Sequence, residues 1–150
     1  MRHIDSPSPP ENQATASPSR AQRLHWPLIL LLGAVALTRP LLHITGVIGG
    51  PVPSGPLPVL AVTAAITAVW VAAVLLAGVE RPFVTVILAA LSYALMSMIL
   101  SAILSPILLG EFQGPLANPL AIGPMLITNA LWGAIAGGIA LGLRRMGVRR

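Results

Sequence analysis

The chain has 150 residues, 55% of them hydrophobic and 9% charged, with a mean hydropathy of +0.85. Soluble domains carry roughly 25% charged residues, so a surface covered by water is excluded. The absence of cysteine excludes a disulfide framework and a thiolate metal site. The net charge is +5, and all nine basic residues are arginine.

Residues 1–23 are rich in Pro and Ser and almost devoid of apolar side chains. They cannot bury enough surface to offset ordering entropy, so a disordered tail is expected. The segment is too long and too polar for a signal-peptide n-region.

The first apolar stretch is expected to span 24–47. Trp26 suits a membrane interface and Pro27 a first helical turn. Pro27 to Thr38 alone would cover about 18 Å, short of the roughly 30 Å hydrocarbon core. The span therefore has to run through Arg39, Pro40 and His43. Pro40 removes a backbone donor and crowds the Ala36 carbonyl.

An uncharged Gly/Pro loop follows, then a second span over 57–79. Gly78 to Pro82 forms a tight turn with one charge of each sign. The third span covers 83–109, and Ser105-Pro106 is expected to kink or end it. The connection 110–119 carries Glu111. The fourth span covers 120–143, and 144–150 form a basic tail.

Arginines set the expected orientation. Arg20, Arg23, Arg81, Arg144, Arg145, Arg149 and Arg150 flank the same ends of the spans, and the other two loops carry none. The positive-inside rule puts both termini in the cytoplasm of a plasma-membrane protein. Anionic lipid headgroups, not nucleic acid, are the expected partners of the basic ends. The fold class predicted is an all-α integral membrane protein, a four-transmembrane-helix bundle of two hairpins. A loose likeness between the Pro/Gly patterns of the two hairpins leaves duplication as one option.

Several polar residues share a predicted depth. His43 lies one turn beyond Arg39 on the same face. Tyr93, Ser97, Ser101 and Ser105 recur at i, i+4 and form a slanted stripe. Thr63 and Thr67 repeat that spacing in the second span, and Asn129 lies midway along the fourth. With Glu111 they outline a polar vestibule open to the outside. Below it the sequence is apolar except for Thr85 and Ser92. The plainer reading is that Ser and Thr bond their own helix backbones and that Arg39 snorkels or pairs with Glu111.

Gly133-x-x-x-Gly137 and Gly138-x-x-x-Gly142 place small residues at helix-packing spacing. They serve either the bundle itself or a second copy or larger membrane complex.

No Asp or Glu lies inside a span, which argues against a proton-coupled exporter. His3, His25 and His43 are too scattered for a metal site. No catalytic set, metal or cofactor is expected. The first functional expectation is a non-enzymatic accessory or assembly subunit acting by helix–helix association. The alternatives are a small-solute or ion pathway through the vestibule and a holin-like pore former.

Overall fold

A computed structural model describes residues 24–44, 56–112 and 114–147, apart from the side chains of His43 and Leu109. The expected disordered tail, the loop after the first span and the last two arginines lie outside the described residues. The described chain is all-helical: α1 (Trp26–Ala36), α2 (Thr38–Ile44), α3 (Leu57–Leu76), α4 (Pro82–Leu109) and α5 (Ile122–Arg145). A 3-10 turn at Pro119–Ala121 leads into α5. Three stretches are long and apolar enough to cross a membrane: Leu57–Leu76, Pro82–Leu108 and Pro119–Arg145. A shorter apolar stretch, Trp26–Leu42, precedes them. By length, α3 reaches about 30 Å and α4 about 42 Å, against the roughly 30 Å of a bilayer core.

Proline opens α1, α3 and α4 at one of their first two positions. A missing N–H costs nothing there, because first-turn donors have no partner within the helix. Deeper in a helix the residue acts differently. Pro40 has no N–H to give Ala36, and α1 stops at Ala36. The Leu37 N–H donates instead to Ala34 O at 3.0 Å. The Thr38 hydroxyl donates to Val35 O at 2.8 Å, and α2 resumes from there. The first span, expected as one helix, is therefore two. Pro106 does not have that effect. α4 runs through it and ends at Gly110, whose left-handed φ of 72° closes the helix.

The α3–α4 turn has a Schellman geometry. Gly78, at φ 61°, takes the left-handed position. Val79 N–H donates to Val74 O at 3.4 Å and Gly78 N–H to Leu75 O at 3.2 Å. The apolar contact that accompanies this motif is present: Val74 and Val79 both belong to the buried core. Arg144, in the last turn of α5, donates to Val79 O at 2.6 Å and to Glu80 O at 3.1 Å. The turn and the end of α5 are thereby tied together.

α4 is the central helix. It packs most extensively on α5 and next on α1, while α3 rests on α5 and α4. α1 and α3 touch little, so the expected first hairpin is not a packed pair. Each of its helices docks on the α4–α5 hairpin instead. The main link between α1 and α3 is a buried hydrogen bond from Trp70 Nε1 to Leu32 O at 2.9 Å.

The core fills one end of the bundle. It comprises Ile29, Leu32 and Ala36 of α1, Trp70 and Val74 of α3, Val79 of the α3–α4 turn, Val86, Ala89 and Ala90 of α4, and Ala136 of α5. α2 contributes nothing to it. Glycine permits the closest approaches. A Cβ at Gly133 would lie 2.8 Å from Ala90 Cβ and 2.9 Å from Ile87 Cα, and one at Gly137 would lie 2.9 Å from Phe83 O. On α1, Gly33 seats against Ala89, Ser92 and Tyr93 in the same way. Among the described residues, Gly138 and Gly142 meet nothing within 4 Å. The two glycine pairs have the same spacing, yet only the first packs inside the bundle.

Candidate functional site

Beyond the core, α2 and α4 enclose a partly open cavity of about 850 Å³. The Pro40 break is what separates the two regions. Up to Ala36 the chain lies tightly on α4, with Gly33 allowing contact. After Leu37 the helix restarts, and Arg39, Pro40 and Ile44 face α4 across open space. The α4 wall combines two rows. One is polar: Tyr93, Ser97, Ser101 and Ser105. The other is apolar: Leu100, Leu104 and Leu108. Both rows follow i, i+4 spacing and so run side by side along one face. Pro115 and Met125 complete the lining.

Among the described residues, Arg39 is the only charged one that lines this cavity. It is exposed. Among the described residues, neither Arg39 nor Tyr93 nor Ser97 has a side-chain hydrogen bond or ion pair. Ser101 and Ser105 are 3.5 Å apart, hydroxyl to hydroxyl. Gly114, at φ 102°, brings the α4–α5 loop against the Ser101 hydroxyl so closely that a Cβ would overlap it. The loop thus closes on the polar row only because residue 114 has no side chain. One guanidinium, a phenol and a serine hydroxyl make a donor set suited to a single negative charge.

Five of the residues predicted from sequence therefore line one cavity: Arg39, Tyr93, Ser97, Ser101 and Ser105. The others stand elsewhere. Thr63 Oγ1 donates to Val59 O and Thr67 Oγ1 to Thr63 O, each at 2.8 Å. These are bonds back to their own helix, the plainer alternative for such residues. Thr67 also accepts from Trp132 Nε1 at 3.1 Å, which joins α3 to α5. Asn129 Nδ2 donates to Met125 O at 2.8 Å, again within its helix. Glu111 is exposed beyond the end of α4 and does not line the cavity. The His43 backbone lies in α2, and its side chain is outside the described residues.

Sequence reasoning missed the apolar row. Leu100, Leu104 and Leu108 look like any other lipid-facing leucines until α2 is seen opposite them. It also passed over Gly33, whose only signal was a small residue on the face opposite a polar-and-small stretch of α4. Thr85 is fully buried, and its hydroxyl has no hydrogen-bond partner among the described residues. No set of His, Cys, Asp or Glu able to hold a metal occurs among the described residues. Comparison with protein-family models, with curated proteins and with solved structures finds no match for this chain.

Proposed function

We propose that this chain is a four-span membrane protein with both termini cytoplasmic, and that it receives an acidic solute in the chamber between α2 and α4. The observation that carries this reading is the chamber's charge: among the described residues that line it there are one arginine, no acid, and two hydroxyl-bearing neighbours without partners. A guanidinium in a low-dielectric setting is costly unless something neutralises it, and an incoming anion does so. The small-solute pathway accordingly takes precedence over simple association.

Membrane residence is supported by the apolar exterior. Leu57, Leu76, Ile107 and Leu120 are each at least 67% exposed, a surface that lipid covers without cost and water does not. The expected topology places the α4–α5 loop outside and the end of α5 inside. Cysteines introduced at Leu116 and at Met146 should label from opposite sides of sealed vesicles. Labelling of both from one side would overturn the orientation.

Purified protein in vesicles should take up small carboxylates or phosphates in a manner that depends on Arg39. Arg39→Gln should lower uptake about tenfold or more, the loss of one charge-assisted contact, with the melting temperature held. Arg39→Lys should keep a substantial part. Equal uptake by wild type and Arg39→Gln would reject the chamber as a pathway.

A second reading, association with another membrane helix, has its own support. Gly138 and Gly142 open onto a face with the exposed apolar side chains Leu131, Ile135 and Ile139. Small residues of this kind let a neighbouring helix approach closely.

A further inference from the structure

The chamber's two rows point to a more specific ligand, on the reading that the chamber takes an acidic solute. We infer that the preferred ligand is an amphiphilic monoanion: a single acidic head on a compact apolar body, such as a medium-chain carboxylic acid. A small inorganic anion would satisfy Arg39 and leave most of the space unused. The cavity, at about 850 Å³, is many times the ~30 Å³ of one water and falls within the roughly 300–1,000 Å³ of pockets that take organic ligands. Its lining is mostly apolar. Leu100, Leu104 and Leu108 form a continuous strip beside the serine row, faced by Pro40 and Ile44. Such a strip stabilises an apolar body and does nothing for an ion.

The ligand's polarity within the site follows from the register of the helices. Gly33 meets Ala89 and Tyr93, so the next turns of the first span stand beside the next turns of α4. Arg39 thus belongs to the Tyr93–Ser97 end. Below that level the dry core bars entry. The leucine strip continues the other way, toward Leu108 and the Pro115 loop. The acidic head therefore goes in first, and the apolar body lies toward the mouth. A bilayer phospholipid in the outer leaflet has the opposite polarity, head at the surface and chains toward the midplane, so the occupant is an acid arriving from the outer side. Among the described lining residues a single arginine sets the charge at one, and a single leucine strip has room for one chain.

The test uses the full chain in phosphatidylcholine vesicles and an octanoic acid carrying a photoreactive diazirine on its chain. Labelling should map to Leu100–Leu108 of α4. The methyl ester of the probe, which lacks the charge, should label about tenfold less. Arg39→Gln should bring labelling by the acid down to the ester's level, and Arg39→Lys should keep most of it. Leu104→Trp, which fills the apolar strip, should lower labelling by the acid. Unlabelled octanoate should compete and acetate at equal concentration should not. Competition by acetate as strong as by octanoate would overturn the amphiphile and leave the acidic-solute reading standing. Competition by phosphatidylglycerol would overturn it in favour of a bilayer lipid. Labelling indifferent to both the ester and Arg39→Gln would overturn the inference together with the reading on which it rests.

Discussion

Replacing Gly133 by valine should separate α4 from α5 and cost the fold about 2–4 kcal/mol, at the upper end of overpacking penalties. The position tolerates no side chain. Its Cβ would lie 2.8 Å from Ala90 Cβ and 2.9 Å from the backbone at Ile87, and backbone cannot rotate away as a flexible side chain does. α4–α5 is also the most extensive helix contact in the molecule, so a shift there propagates to α1 and α3, which both rest on that pair. Thermal unfolding in detergent measures the effect. Gly138→Val is the matched control. It adds the same atoms five residues along the helix, where nothing among the described residues lies within 4 Å, and should leave the monomer's stability within about 0.5 kcal/mol. If Gly138→Val instead abolishes cross-linking between copies, the outer glycine pair serves association. If both variants unfold alike, the assigned division between inner and outer glycines is wrong.

The second large effect is expected at Trp70. This residue is 2% exposed and fills the space between α1 and α3, and its Nε1 bonds Leu32 O at 2.9 Å. Trp70→Ala should destabilise by about 3–5 kcal/mol, combining lost burial with a cavity. Trp70→Phe keeps most of the ring and loses the hydrogen bond, for about 1–2 kcal/mol. The ordering of the two variants in denaturant or thermal unfolding is the check. A Phe variant as weak as the Ala variant would mean that the hydrogen bond, not the packing, joins α3 to α1. That outcome has a structural basis, since α1 and α3 make few other contacts.

The helices themselves were legible in the sequence because their boundaries rest on backbone chemistry. Pro27, Pro58 and Pro82 can only begin a helix cheaply, and Gly78 and Gly110 supply the left-handed stops. What packs against what was much less legible. In a soluble helix the apolar stripe marks the buried face. Here Val74 and Leu76 are equally apolar, yet one is 1% exposed and the other 67%. On the proposed membrane reading the surrounding lipid would be as apolar as the core, so the sequence carries no contrast between them. Size carries part of the missing information, which is why Gly133 and Gly137 could be anticipated. Gly138 and Gly142 show its limit, since spacing fixes a face and not the neighbour it meets.

The polar residues follow the same rule. Tyr93, Ser97, Ser101 and Ser105 were found as a stripe from spacing alone, and all four line the cavity. Thr63, Thr67 and Asn129 looked equivalent by depth and bond their own helices. Depth does not reveal direction around a helix axis.

The break at Leu37 divides the first span into two segments of unequal standing. α1 is anchored by three core residues, whereas α2 has none in the core. α2 carries Arg39, and few buried contacts hold it to the rest of the described bundle. Local opening of α2 would then cost little of the global free energy of folding. The arginine would then sit on a segment able to open while the rest of the bundle stays folded. Access to the guanidinium becomes a question of how often α2 lifts from α4. A ligand that bridges the two helices would slow amide exchange in α2 before it changed exchange anywhere in the core.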